Sequence, residues 1–395
     1  MSKTLGLYIH IPFCKAKCAY CDFYSLPHSE EKMDEYCRAL SAHLEEVAPR
    51  CKGTTVDTVY FGGGTPSYLG AERLCALLKT VKKRYTLSRE AEITVECNPD
   101  SAGDWKALRR LRRAGFNRIS LGVQSTDDSL LREIGRIHTF EQVRAAVAAA
   151  RRAKIGNISL DLIYGLPHQS LQHWRQTVQD AVALAPEHLS CYGLKVEEGT
   201  PLFLRRESAE LPDDDAQAEM YLWTVDYLES QGYHQYEISN FARKGFESRH
   251  NQKYWAMEPY AGFGPGAHSD FGDVRFAYER DLSSYIKGNL TLSEREELSE
   301  RDRMQEYIML SLRTTAGIDK LYFERQYRQR FEPMEQLLTQ YAAHGLARRT
   351  DSGWVLTPQG FLLSNTIIVS LQEAIGNAMQ ERLRRAHEGD FRILE

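Results

Sequence analysis

The chain has 395 residues, 42% of them hydrophobic and 26% charged, which is enough to bury a full core and to add a second, smaller domain. Lys and Arg number 50 against 54 Asp and Glu, so the net charge of −4 creates no global field for a polyanion, and nucleic acid would need a local patch. With no apolar run of about 18 residues and no export signal after Met1, the expectation is a soluble, cytoplasmic protein. Its eight cysteines should then be reduced, and a close group of them marks a metal site rather than a bridge.

In chain order, β-rich runs at 5–11, 56–61, 91–96, 118–122, 157–163 and 188–194 alternate with stretches that carry apolar residues at three- and four-residue spacing. Such stretches include MDEYCRALSAHLEEVA, ERLCALLKTVKKRY, DWKALRRLRRAG, TFEQVRAAVAAARRA and LQHWRQTVQDAVAL. Six βα units predict parallel strands with right-handed crossovers, as a doubly wound sheet or a barrel, with ligands at the C-terminal strand ends. From 196 to about 290 come one long helix and then an aromatic, glycine-rich stretch of loops and short strands. Beyond it, three helical patterns precede GLARRTDSGWVLTPQGF, whose two β-like runs flank Asp351, Ser352 and Gly353 and suggest a winged-helix-like module.

Cys14, Cys18 and Cys21 follow the first strand in HIPFCKAKCAYCDFY. A cubic iron-sulfur cluster needs soft thiolates around one small volume, and this spacing supplies three of them from one loop, leaving one iron open. The same spacing could instead be one helical face of small core residues, and zinc would want a fourth protein ligand. Directly after the second strand, VDTVYFGGGTPSYL brings three glycines and Thr-Pro, where backbone can approach a ligand closely.

Together these motifs resemble the radical S-adenosylmethionine (SAM) superfamily. LYIHIPFCKAKCAYCDFY, VYFGGGTPS, ITVECNPD, ISLGVQS, the arginine in IGRIHT, and SLDLIYGLP are similar to the branch of oxygen-independent coproporphyrinogen III oxidase and its relatives. The implied fold class is α/β, a partial (β/α)6 radical SAM barrel with a small, mostly helical, winged-helix-like C-terminal domain. Its segments would be 1–195 (core barrel), 196–290 (barrel completion) and 291–395. The resemblance implies a 4Fe-4S cluster on Cys14, Cys18 and Cys21, with SAM chelating the open iron and cleaved by electron transfer to a 5'-deoxyadenosyl radical. It also implies that Tyr8, Tyr20, Gly63, Gly64, Thr65, Glu96, Gln124, Arg136 and Asp161 line the SAM site.

Two departures turn the resemblance toward the HemW-type heme chaperone family. The oxidases carry a fourth cysteine where this sequence has Phe23, and an extension ahead of the barrel, whereas Tyr8 here is only seven residues from the start. The family's HNxxYW motif is present as His250, Asn251, Tyr254 and Trp255, and an imidazole is a natural heme ligand. The implied cofactors are therefore the cluster, SAM and heme, with His250 on the heme and His268 as a second candidate. The implied partners are acceptor hemoproteins, membrane-associated respiratory proteins among them, and no nucleic acid; a homodimer is compatible. Coproporphyrinogen III dehydrogenation is the alternative activity, and a nucleic-acid or protein interaction module in the tail is another. Cys37, Cys51, Cys75, Cys97 and Cys191 read as small core residues, His10 as a strand residue or supporting donor, and LRRLRRAG as a solvated helix face.

Overall fold

The structure is a computed structural model that describes residues 3–272 and 274–391. It divides into two compact units: one of Met1–His234, Ser239–Tyr254 and Glu258–Glu297, the other of Gln235–Ile238, Trp255–Met257 and Leu298–Glu395. Among the described residues no helix is long and apolar enough to cross a membrane.

The first unit is built on six strands: β1 (Lys3–Ile11), β2 (Thr54–Gly63), β3 (Leu87–Cys97), β4 (Arg118–Gln124), β5 (Asn157–Tyr164) and β6 (His188–Gly193). They pair in sequence order and all in parallel. Between them run α1 (Met33–Val47), α2 (Ala71–Arg84), α3 (Trp105–Ala114), α4 (Phe140–Arg152) and α5 (Leu171–Ala183). Local sequence fixes their starts: Thr139 with Gln142, and Ser170 with His173, form capping boxes that satisfy the first amides of α4 and α5. In α3, Leu108 and Leu111 are buried while Arg110, Arg112 and Arg113 face solvent, as the arginine-rich pattern predicts.

Side-chain alternation divides each strand by chemistry. Leu5, Leu7 and Ile9 of β1, Val59 and Phe61 of β2, Ile93 and Val95 of β3, Ile119 and Leu121 of β4, and Leu160 and Leu162 of β5 form the core. The intervening positions carry buried polar groups: His10, Thr58, Glu92, Thr94, Arg118, Ser120, Ser159, His188 and Ser190. The strands therefore enclose a polar interior rather than the branched aliphatic filling of a closed barrel. Cys51, Cys97 and Cys191 are buried in the core, and Cys37 and Cys75 pack against it.

After β6 come α6 (Asp214–Ser230), β7 (Asn240–Ala242) and α7 (Arg249–Trp255), then β8 (Tyr260–Phe263), β9 (His268–Phe271), β10 (Val274–Tyr278) and β11 (Leu292–Glu297). The sheet contains, in order, β11-β10-β9-β8-β1-β2-β3-β4-β5-β6-β7. β8 joins β1 in parallel, and β9, β10 and β11 extend that side as an antiparallel meander. His43 of α1 ties the meander down, its two ring nitrogens meeting the hydroxyls of Tyr285 (2.9 Å) and Tyr278 (3.0 Å).

The second unit runs through α8 (Glu300–Ser311), β12 (Ile318–Asp319), α9 (Lys320–Tyr327), α10 (Glu332–Ala343), β13 (Ala347–Arg349), β14 (Gly353–Leu356) and α11 (Ser364–Phe391). Its small antiparallel sheet has the order β12-β14-β13, giving the helix, strand, helix, helix, hairpin succession of a winged helix. Gly317 shows why that sheet closes so tightly: at φ 72° a Cβ would lie 2.1 Å from the Trp354 carbonyl oxygen.

Candidate functional site

Cys14 ends the two-residue strand Phe13–Cys14, and Cys18 and Cys21 lie in the following loop, which is not helical. The alternative of one helical core face therefore fails, because Pro12 and the Phe13–Cys14 pairing with Leu26–Pro27 draw the chain into a loop. Among the described residues no group of three or more His, Cys, Asp or Glu side chains is arranged to hold a single metal ion. Backbone bonds shape the loop: Ala19 donates to the Ile134 carbonyl (3.0 Å) and Leu202 to the Ala19 carbonyl (2.8 Å).

The glycine run closes over this loop. A Cβ on Gly64 would lie 2.8 Å from the Phe13 oxygen and 3.0 Å from Cys14 Sγ. Gly63 has φ 114°, and a Cβ there would meet the His10 ring at 2.6 Å. His10 acts as a buttress: Nδ1 meets the Tyr8 hydroxyl (3.1 Å) and Nε2 the Tyr24 carbonyl (2.8 Å), while burial pushes its pKa down to about 4.

Two of the thiols have side-chain donors. Thr65 Oγ1 donates to Cys14 Sγ (3.5 Å), and Arg136 Nη1 donates to Cys18 Sγ (3.4 Å). Burial raises the pKa of Cys14, against the pull of the Thr65 and Ser25 hydrogen bonds. Asn98, which sequence reasoning left without a role, links the two donors: its Nδ2 donates to Thr65 Oγ1 (3.2 Å) and its Oδ1 accepts from Arg136 Nη2 (2.9 Å). Its one signal in the sequence is its position immediately after a strand end.

The other expected residues converge on the same end of the sheet. Glu96 accepts from the Tyr60 hydroxyl (2.7 Å) and the Gly63 amide (3.1 Å), and burial raises its pKa to about 7. Gln124 has φ 66°, beside a register shift between Gly122 and Gln124, so the backbone is strained at this residue. Gln124 Oε1 and Arg136 Nε are buried without a hydrogen-bond partner. A Cβ on Gly122 would lie 3.1 Å from both Arg136 Nη2 and Gln124 Nε2. Asp161, level with Gly122, accepts from Ser120 (2.9 Å) and Ser159 (3.2 Å), and burial raises its pKa. Tyr20 is half-buried in the cysteine loop.

This donor set fits a three-cysteine cluster with a polar ligand beside it. Three thiols come from one loop, a glycine cradle has no room for a side chain, and the two side chains beside Gly122 each carry an orphaned polar atom. Beside the loop opens a cavity of about 430 Å³ lined by Lys17, Cys21, Asp22, Glu197, Thr200 and Arg280.

His250 lies deeper in the same polar interior. It is 1% exposed, level with Gly6, Thr58 and Glu92 midway along the strands. Glu96 is four residues further along β3 than Glu92, about 13 Å at ~3.3 Å per residue. Nδ1 of His250 meets Thr58 Oγ1 (2.8 Å) and Nε2 meets the Tyr254 hydroxyl (2.8 Å). Glu92 accepts the amides of Arg249 and His250 (both 3.1 Å), and Lys253 pairs with Asp57 at 3.0 Å. A Cβ on Gly6 would lie 3.3 Å from the imidazole and 3.0 Å from both Lys253 Cδ and Thr58 Oγ1, so a side chain here would crowd the ring and its partners. Burial lowers the His250 pKa to about 3. The ring stacks on Tyr60 with centroids 5.1 Å apart. His268 is exposed on β9.

Residues 8–181 match the radical SAM superfamily model and residues 298–363 the HemN C-terminal domain model. Heme chaperone HemW of Bacillus subtilis is 37% identical over 91% of this chain and 97% of its own length. The protein of that name in Escherichia coli is 35% identical over 92% and 97%. Among solved structures, the coproporphyrinogen III oxidase HemN of Escherichia coli superposes with a TM-score of 0.82 at 27% identity, covering 94% of this chain and 90% of that one. Radical SAM membership implies a 4Fe-4S cluster and SAM, and with 35% and 37% identity to these two chaperones along most of its length, this chain belongs to the HemW family of the radical SAM superfamily.

Proposed function

We propose that this protein binds heme and delivers it to hemoproteins in the cytoplasm or at the membrane surface. The observation that carries the reading is its identity, over nearly its whole length, to proteins named heme chaperones, together with the HNxxYW segment at His250, Asn251, Tyr254 and Trp255. Cys14, Cys18 and Cys21 would hold the 4Fe-4S cluster. Tyr8, Tyr20, Gly63, Gly64, Thr65, Glu96, Gln124, Arg136 and Asp161 would line the SAM site. When bound, the cluster and SAM supply one-electron chemistry at the open iron. This chain's own residues hold the loop, exclude side chains from the glycine cradle and present unpaired polar atoms.

His250 would ligate the heme iron only after one of its ring nitrogens leaves Thr58 or Tyr254. Freeing Nε2 would need only a turn of the Tyr254 side chain within α7, whereas freeing Nδ1 would move α7 relative to β2; either is a change of conformation rather than simple docking. Acceptor hemoproteins, respiratory proteins among them, would be the protein partners.

The test is an anaerobic hemin titration of reconstituted protein followed by Soret absorbance, with transfer to an apo-hemoprotein as the second step. Saturable binding and transfer support the reading; no binding at micromolar hemin overturns it. The likeness to HemN favours one rival, oxidative decarboxylation of coproporphyrinogen III. That rival requires vinyl-bearing products formed in step with SAM consumption.

A further inference from the structure

Arginine has only donors, so the atom of Asn98 that faces Arg136 Nη2 at 2.9 Å is its carbonyl oxygen. That fixes the amide: Nδ2 must face Thr65, whose Oγ1 accepts at 3.2 Å. With its oxygen engaged as an acceptor, the Thr65 hydroxyl turns its hydrogen toward Cys14 Sγ, 3.5 Å away. The other arm of the same guanidinium donates to Cys18 Sγ at 3.4 Å. The backbone of Asn98 is held by its own amide, which donates to Ser67 Oγ at 3.2 Å. One half-buried side chain thus sets the polarity of a relay that ends on two different thiols.

We infer that Asn98 is a positioning residue that orients the hydrogen bonds to Cys14 and Cys18 and thereby raises the reduction potential of the cluster they hold. The inference rests on the proposed cluster at Cys14, Cys18 and Cys21. Hydrogen bonds to ligating sulfurs withdraw electron density and favour the reduced cluster, whose added electron makes the sulfurs more basic. In Asn98→Ala the Thr65 hydroxyl loses its orienting donor and Arg136 loses one acceptor. In Asn98→Asp both side-chain oxygens are acceptors, so Thr65 is drawn to donate to the carboxylate instead of Cys14, and a negative charge is added.

The experiment is a mediated potentiometric titration of anaerobically reconstituted wild type, Asn98→Ala and Asn98→Asp, read by the EPR signal of the reduced cluster, with iron and sulfide measured on each sample. The expected result is equal iron and sulfide content with midpoints more negative than wild type, Asn98→Asp the more so. Midpoints and g values that coincide with wild type in both variants overturn the inference. If the Asn98 variants load no cluster, Thr65→Val and Thr65→Ser decide the matter: a negative shift in the first and a wild-type midpoint in the second support the relay, and equal midpoints in the two overturn it. A wild type that takes up neither iron nor sulfide would instead sink the cluster assignment itself.

Discussion

The Tyr60 hydroxyl donates to Oε1 of Glu96 across 2.7 Å, and that bond partly offsets the cost of burying the carboxylate. Desolvation still dominates: the Glu96 pKa rises from 4.5 to about 7, with Asp161 adding to the rise and Arg118 opposing it. A raised folded-state pKa contributes stability that is present below pH 4.5 and lost as pH climbs through 7. The loss is on the order of 3 kcal/mol. Denaturant melts of wild type and Glu96→Gln at pH 5 and pH 8 should therefore show the variant gaining on the wild type at the higher pH. A stability difference that does not change with pH would refute this.

Gly64→Ala places a methyl group against the Phe13 carbonyl and Cys14 Sγ. The strands beneath are unaffected, so far-ultraviolet circular dichroism should match wild type while iron and sulfide uptake falls severalfold. Full cluster loading in this variant would mean that the loop yields more easily than the contact distances imply.

For His250, the hydrogen bonds make the heme assignment quantitative. Tyr254→Phe removes the partner of Nε2 and leaves that nitrogen free, so a ligating His250 should bind hemin about fivefold more tightly, the equivalent of about 1 kcal/mol for one hydrogen bond. His250→Ala should weaken binding and shift the Soret band. Spectra and Kd values unchanged in both variants would assign the imidazole to packing against Thr58 and Tyr60 alone.

His43→Leu strands two buried tyrosine hydroxyls, those of Tyr278 and Tyr285. Each unsatisfied group costs about 1–3 kcal/mol, so the urea midpoint of the first unit should fall clearly, whereas His43→Gln, which keeps a donor and an acceptor, should recover part of the loss.

The six parallel strands were legible because each keeps an apolar residue at every second position toward the helices, as in Leu5, Leu7, Ile9 and Ile11. Cys14, Cys18 and Cys21 were legible because a single loop carries them. β9 and β10 were read only as short strands and loops, since Gly264 and Gly272 interrupt the alternation beside them, and β11 (Leu292–Glu297) fell in the stretch from about 293 onward that was read as helical. Nor did the sequence reveal that His250 lies buried midway along the strands: the placement depends on Gly6, Thr58 and Glu92, all distant in sequence. Asn98 was hidden for a similar reason, because its role exists only once Thr65 and Arg136 flank it.

β11 ends its side of the sheet with the sequence Leu-Ser-Glu-Arg-Glu-Glu, exposed at every position. A second strand approaching that edge would have to strip water from Glu294, Arg295, Glu296 and Glu297 before forming one backbone bond. An open sheet of this width is a standing invitation to fibrous stacking, and here the invitation is withdrawn by charge. Self-association of this protein must therefore use some surface other than strand-to-strand growth at β11.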